Sequence, residues 1–217
     1  MTENAQIIVL GTTKAGESSL VVHTLSNLWG RRSFLVTMGR KTAAGMFRPL
    51  SILDCEVTVS SKSDLWRAGK FSRKHLLSGI RESLPKTAIS MFMSEVLFRV
   101  IRESSRDDNL FDWCERSILT LDALDTDFSN YPIVFLLELA EALGFKPNAY
   151  DMAPFVLDQY ELVGKFIKGG QAEALLIPMT GSERSLLCAG ILRYLEQHTE
   201  ARIDIRSLAI LHDLFSR

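Results

Sequence analysis

Cysteine is scarce in this sequence, and its spacing excludes two kinds of site. The 217 residues include three cysteines, Cys55, Cys114 and Cys188, which lie far apart. No Cys-x-x-Cys pair occurs, so local spacing offers neither a zinc site nor a disulfide framework. We therefore interpret all three as reduced, partly buried thiols that pack as small hydrophobic side chains.

Long apolar runs are also missing. Residues 133–137 form one of the longest, and five residues are far too few to cross a bilayer. The first residues lack the basic segment and apolar stretch of a secretory signal. With 47% hydrophobic and 24% charged residues, the chain can still bury a substantial core. We expect a cytoplasmic globular protein with no membrane partner.

Motifs for catalysis are absent as well. Residues 11–18 nearly match a phosphate-binding P-loop, but Glu17 stands where the lysine is required, and a strand rather than a helix is predicted to follow. The sequence has no Gly-x-Ser-x-Gly elbow and no His-Glu-x-x-His pair. We expect no catalytic residues, no metal and no cofactor. An unrecognised hydrolase would instead need a deep pocket with convergent titratable groups.

Charge is unevenly distributed along the chain. The net charge is −1, yet residues 1–86 contain 13 Lys and Arg against 6 Asp and Glu, a balance of +7. Residues 87–217 contain 12 against 20, a balance of −8. A basic first part and an acidic second part indicate two modules with different partners.

The first part is predicted to be all-β. Residues 53–60 alternate between apolar and polar side chains, as expected of a half-buried strand. Turn residues separate this segment from other β-branched runs, and four or five short strands within 80 residues are typical of a small barrel or sandwich. The remaining strands are predicted at residues 6–10, 20–25 and 34–38, with a further one within 66–77.

Helical periodicity replaces the strands after Pro85. Apolar residues at helical spacing predict helices over 86–103, from 108 or 109 to 124, over 132–143, from 182, and from 204 or 205 to 215. Gly144 and Pro147 end the third of these. Residues 148–181 are predicted to be loop-rich. The fold class is therefore α+β, with a module boundary between about residues 77 and 86.

Cations next to aromatic side chains are the most informative polar residues. Lys and Arg neutralise phosphates, and an aromatic face accepts an unstacked base. Phe47 and Trp29 are the best stacking candidates, although core packing explains them equally well. The predicted DNA-binding residues are Arg31, Arg32, Arg40, Lys41, Phe47, Arg48, Lys70, Arg73 and Lys74.

Ordered short motifs over nearly the whole chain resemble the bacterial RecO family of recombination mediators, in a form similar to that of Bacteroidetes. The motifs include Gly30-Arg31-Arg32-Ser33-Phe34, Gly39-Arg40-Lys41, Arg48-Pro49-Leu50-Ser51, Leu143-Gly144-Phe145-Lys146-Pro147 and Ser182-Glu183-Arg184-Ser185-Leu186. Many RecO proteins carry a four-cysteine zinc module after the Leu-Gly-Phe motif. Residues 148–181 contain no cysteine, so zinc is not expected here.

The resemblance implies an OB-fold over residues 1–80 and a helical domain over 81–217. It also implies binding to single- and double-stranded DNA, strand annealing, association with RecR and recognition of the C-terminal tail of SSB. Such a protein helps RecA replace SSB on DNA. Arg31, Arg32, Arg40, Lys41 and Arg48 are the DNA-binding residues that the motifs imply, whereas the SSB-tail pocket cannot be placed. The alternative is a protein-interaction adaptor whose OB-fold does not bind DNA.

Overall fold

The computed structural model describes residues 1–39, 44–103 and 106–215. It divides into two compact units: Met1–Leu77 with Ile101–Ile118, and Ser78–Val100 with Leu119–Arg217. The chain thus leaves the first unit, returns to it and leaves again. The predicted domains, 1–80 and 81–217, stay a prediction, since compactness does not show which parts fold independently.

Five strands of the first unit close into a barrel in the order β1-β2-β3-β5-β4, with β1 and β4 pairing to complete the circle. Neighbouring strands are antiparallel except β3 and β5, which are parallel. This five-stranded closed barrel confirms the expected OB-type architecture. The strands are β1 (Thr2–Lys14), β2 (Ser19–Ser26), β3 (Gly30–Thr37), β4 (Ile52–Thr58) and β5 (Trp66–Arg73).

Alternation along the strands places one set of side chains in the barrel core. In β4, Leu53, Cys55 and Val57 are buried in this core, whereas Asp54 and Glu56 are partly exposed. Successive side chains of a strand point to opposite faces, so the two sets lie on opposite sides of the barrel wall. The alternation predicted from the sequence for this segment is confirmed.

Glycines in the left-handed region form the two turns that flank β2. Gly16 has φ +114° in the β1–β2 hairpin, and Gly30 has φ +63° at the start of β3. A side chain at either position would be strained, which explains the choice of glycine. The segment that resembled a P-loop is therefore a hairpin, in which residues 11–14 belong to β1 and lead into β2.

Beyond the barrel the described residues are mainly helical, as predicted for most of this part. Pro132 lies in the first turn of α4, and Gly144, with φ +86°, follows its end. No helix in the described ranges is both long and apolar enough to span a membrane. The helices are α1 (Ser78–Glu82), α2 (Leu84–Val100), α3 (Asp108–Ala123), α4 (Tyr131–Ala142), α5 (Ala149–Val156), α6 (Tyr160–Lys168), α7 (Gln171–Leu175), α8 (Gly181–Thr199) and α9 (Ser207–Phe215).

Residues 148–181 differ from the loop-rich segment that was predicted. They form three helices, α5, α6 and α7, of eight, nine and five residues. Pro154 within α5 and the Gly169-Gly170 pair after α6 are residues that normally end helices, which is why the sequence suggested loop. Asn148 begins α5 by accepting a hydrogen bond from the main-chain N–H of Asp151 at 3.0 Å.

A carboxylate from α2 anchors the start of α9. Glu95 accepts hydrogen bonds from the main-chain N–H groups of Arg206 (3.1 Å) and Ser207 (3.0 Å), and from the Ser207 hydroxyl. Burial alone would raise the pKa of Glu95, but these hydrogen bonds outweigh it and lower the pKa. A negative charge at a helix N-terminus also interacts favourably with the helix dipole.

Replacing Glu95 with glutamine should lower the free energy of unfolding by about 1 kcal/mol at neutral pH, since a neutral amide accepts these bonds less well. The folded-state pKa lies below the ordinary value of 4.5. The stabilisation is therefore complete above pH 4.5 and lost as pH falls through the folded-state pKa. Thermal unfolding should show the two proteins converging in acid; a constant difference down to about pH 3 would contradict this account.

Candidate nucleic-acid interface

The predicted DNA-binding residues lie in the first compact unit. Arg31 and Arg32 belong to β3, Lys70 and Arg73 belong to β5, and Lys74 directly follows β5. Phe47 and Arg48 lie between β3 and β4. Arg40 and Lys41, two of the nine, lie outside the described residues.

The Arg32 side chain is held at the loop between β4 and β5. Its guanidinium carbon lies 3.5 Å from the centre of the Trp66 ring, which is a close cation–π contact. Its Nη2 donates a hydrogen bond to the main-chain oxygen of Asp64 at 3.1 Å. The Trp66 indole in turn donates to the oxygen of Ser60 at 2.9 Å. Strand β3 and this loop therefore present one cation in a fixed position.

Of the predicted cations that the structure describes, three form ion pairs with carboxylates. Arg31 Nη2 lies 3.3 Å from Glu103 Oε1. Lys70 Nζ lies 2.8 Å from Glu56 Oε2, and its side chain is 76% exposed. Solvent-exposed pairs of this kind contribute about 0–1 kcal/mol, so a phosphate can replace such a carboxylate at little cost.

Lys74 belongs to the most enclosed of the three pairs. Its Nζ lies 2.7 Å from Glu115 Oε1, and His75 Nε2 lies 3.0 Å from the same oxygen. Burial raises the pKa of Glu115, but the hydrogen bonds from Lys74 and His75 lower it by a larger amount. The pKa of Glu115 is therefore below its ordinary value. Lys74 also donates to Gln6 Oε1 at 3.1 Å. These contacts hold Lys74 against Glu115 and Gln6 within the unit, and its predicted role in DNA binding stays a prediction.

Arg48 and Arg73 present cations near the short segment that precedes β4. Both residues are exposed, and Arg73 Nη2 donates to the main-chain oxygen of Gly45 at 3.4 Å. Arg48 follows Gly45 by three residues, just after the 3-10 turn Ala44–Met46. Arg73 therefore contacts the segment that contains Arg48, and we call Gly45, Arg48 and Arg73 together the 45–48/73 surface.

Phe47 packs inside the barrel. Its residue surface is 5% exposed, and its ring lies 4.9 Å from that of Phe71 at an interplanar angle of 88°. A base cannot stack on a ring that the core encloses, so this burial argues against the predicted stacking role of Phe47. Trp29 is partly buried, with its ring edge-on to Trp66 at 5.3 Å.

A row of polar side chains crosses the outer wall of the barrel, and the sequence did not reveal it. Thr13 Oγ1 lies 2.9 Å from His23 Nε2, and His23 Nδ1 lies 2.8 Å from Ser33 Oγ. The pKa of His23 is below its ordinary value. Burial is the largest cause, the positive charge of Arg31 adds to it, and the negative charge of Glu103 partly offsets both. The row joins β1, β2 and β3, so strand pairing, which a one-dimensional pattern does not specify, creates it.

The cysteines lie where packing explains them. Cys55, Cys114 and Cys188 are buried free thiols. Burial raises the pKa of Cys55 and of Cys188 to about 12, so both are protonated at neutral pH. Within the residues that the structure describes, His, Cys, Asp and Glu side chains form no group of three suited to a metal ion.

Comparisons with known proteins agree with the architecture. The family model described as "Recombination protein O C terminal" matches residues 81–154. The chain is similar to a protein named "DNA repair protein RecO" from Bacteroides fragilis, at 30% identity over 96% of this chain and 97% of the relative. A protein of that name from Phocaeicola vulgatus is 31% identical over 96% and 97%. One from Azobacteroides pseudotrichonymphae is 24% identical over 99% and 100%.

Proposed function

The chain belongs to the RecO family of DNA repair proteins, and from this premise we propose that it is a recombination mediator that binds single-stranded DNA through its barrel. A role in DNA repair follows from the family. The finer proposal is that the protein acts by binding and strand exchange, with no bond made or broken and no cofactor.

The observation that carries this proposal is the 45–48/73 surface together with Arg32 on a closed five-stranded barrel. OB-type barrels bind oligonucleotides through the face of strands 2 and 3 and the adjoining loops. Arg32 lies on β3 against Trp66, beside the β4–β5 loop. Arg48 and Arg73 add exposed cations near the segment that follows β3.

Electrostatics explains how such a surface would hold a strand of any sequence. Each arginine or lysine that contacts a phosphate releases condensed counterions, which favours binding at low salt. The exposed Lys70–Glu56 pair can exchange its carboxylate for a phosphate. Single-stranded DNA is therefore the proposed main ligand, with double-stranded DNA a second one because the same contacts address its backbone.

The helical unit is the proposed binding surface for protein partners. We assign to the protein the partners that the family resemblance implies, which are RecR and the C-terminal tail of SSB, and through them RecA. A tether between a DNA-binding and a partner-binding module raises the effective concentration of each ligand near the other. Strand annealing and replacement of SSB by RecA would follow from this proximity, in the cytoplasm and at the nucleoid.

A fluorescence anisotropy titration of the full chain with labelled oligo-dT, at about 50 mM and about 200 mM salt, tests the proposal. If the barrel contacts several phosphates, affinity should fall steeply between the two conditions, by one to several orders of magnitude according to the number of contacts. Absence of binding at the lower salt concentration would overturn the proposed DNA-binding role.

The adaptor alternative is favoured by the ion pairs themselves. Arg31, Lys70 and Lys74 each contact a carboxylate, which reduces the positive charge available to DNA. An adaptor would show no anisotropy change with oligo-dT yet still bind RecR or the SSB tail peptide. The two titrations together therefore separate the mediator from the adaptor.

A further inference from the structure

Near its start, at Arg31, strand β3 forms a main-chain bridge with Glu103, and it pairs with β5 later, at Phe34 and Leu35. β2 pairs with β3 over its whole length, whereas β5 pairs with it at Phe34 and Leu35 in the described chain. Arg31 pairs with Leu25 of β2 on one side, so its parallel bridge to Glu103 occupies the other side. The main chain at Glu103 thus bridges the edge of β3 at Arg31, before the strand reaches its pairing with β5.

The side chains of the same two residues form an ion pair in which the partners are unequally exposed. Arg31 Nη2 lies 3.3 Å from Glu103 Oε1, and the side chains are 17% and 66% exposed. The Arg31 side chain is largely enclosed in the barrel wall, while most of the Glu103 side chain is in water. Glu103 is therefore the partner that can move away.

Hydrogen-bonding side chains lie beside this pair. Ser33 follows Arg31 by two residues in β3, so both project from the same face of the strand. His23 pairs with Ser33 across the strands and contacts its hydroxyl at 2.8 Å. Arginine and serine side chains are among the usual contacts of backbone phosphates. Both ring nitrogens of His23 already have partners, Thr13 and Ser33, so His23 positions the Ser33 hydroxyl rather than contacting a phosphate itself.

We propose that Glu103 is an internal competitor for nucleic acid: its carboxylate occupies the position at Arg31 that a phosphate of a bound single strand takes, beside Ser33 and His23. This proposal rests on the proposed function, because it requires that the barrel bind single-stranded DNA. It adds to the predicted residue Arg31 one regulatory residue, Glu103, and one phosphate-contacting residue, Ser33, which His23 positions.

Competition of this kind favours long strands over single anions. A lone phosphate gains little by replacing the carboxylate, because one ion pair is exchanged for another. A strand already held elsewhere on the barrel delivers its further phosphates at high effective concentration and displaces Glu103 more readily. Glu103 would therefore reduce binding to short oligonucleotides and free phosphates more than binding to long strands.

The test is the affinity of full-length Glu103→Gln for labelled oligo-dT, by anisotropy at low salt. Removal of the competing carboxylate should tighten binding about threefold to tenfold. Asp112→Asn is the matched control, because Asp112 is an exposed residue of the same compact unit and its replacement removes the same charge. Glu103→Ala also removes the competing carboxylate, so it should tighten binding as well. Thermal unfolding of each variant checks that it is folded.

A double-mutant cycle with Arg31→Gln assigns the gain to this contact. The increase caused by Glu103→Gln should disappear in the Arg31→Gln background and should be absent from Asp112→Asn. Equal affinity of Glu103→Gln and wild type, or an equal gain in Asp112→Asn, would overturn the competitor role while leaving the proposed function intact. If neither wild type nor any variant binds at low salt, the proposed function itself fails.

Discussion

Charge reversal of Arg48 and Arg73 together should weaken binding of single-stranded DNA by about a hundredfold at low salt. Both arginines are exposed, and the Arg73 contact with Gly45 involves a main-chain oxygen rather than a carboxylate. Under the proposed function, each replacement by glutamate would remove one phosphate contact and add a repulsive charge. In an anisotropy titration the affinity of the variant should also depend less steeply on salt concentration, by the amount that the loss of about two phosphate contacts produces.

Lys165→Glu with Lys168→Glu is the matched control for that experiment. Both lysines are exposed residues of α6, so the pair makes the same change in net charge on the helical unit. Affinity close to that of wild type is expected. If the α6 variant loses as much affinity as the Arg48 and Arg73 variant, overall charge rather than the 45–48/73 surface governs binding.

Replacing Asn130 with alanine should lower the free energy of unfolding by about 3–4 kcal/mol and the melting temperature by on the order of 10 °C. The Asn130 side chain is buried, with 2% of the residue exposed. Its amide donates to the main-chain oxygens of Ala174, Leu175 and Ile177, and its oxygen accepts from Arg184 Nε at 3.0 Å. Alanine would leave these groups without their partner in a buried environment.

Thermal and urea unfolding of the variant measure this effect, and Asn109→Ala is the control. Asn109 is an exposed residue of the first turn of α3. Its replacement should change stability by less than about 0.5 kcal/mol. A similarly small change for Asn130→Ala would mean that the contacts at the end of α7 do not stabilise the helical unit.

Much of the fold follows from local pattern. The alternation of residues 53–60 specifies β4, and the proline and glycine that flank α4 specify its ends. These features can be predicted from the sequence because each depends on residues only a few positions apart. Local pattern does not specify the closure of the barrel, because the pairing of β1 with β4 joins residues that are about fifty positions apart.

The helices α5 to α7 show where periodicity fails. The longest of them has nine residues, which gives too few turns for a clear apolar stripe. Pro154 lies inside α5, and a proline there normally argues against a helix. Tertiary packing overrides these local signals, as the burial of Met152 and Val163 indicates.

The candidate site was predictable in residue type but not in partners. The sequence identifies cations in the first part of the chain, yet it does not reveal that Arg31 meets Glu103 or that Lys74 meets Glu115. Those partners lie 72 and 41 positions away. A count of positive charge along a segment therefore overstates the charge that the folded surface offers to DNA. Likewise, the pattern around Phe47 could not distinguish a stacking ring from a core ring.

Hydrogen–deuterium exchange of the full chain with and without oligo-dT most directly tests the claim that the barrel holds single-stranded DNA. The account predicts slower exchange in peptides that cover β3, residues 44–51 and the segment from residue 60 to β5, with little change in α4 to α8. Protection confined to the helices, with the barrel peptides exchanging as in the free protein, would contradict it.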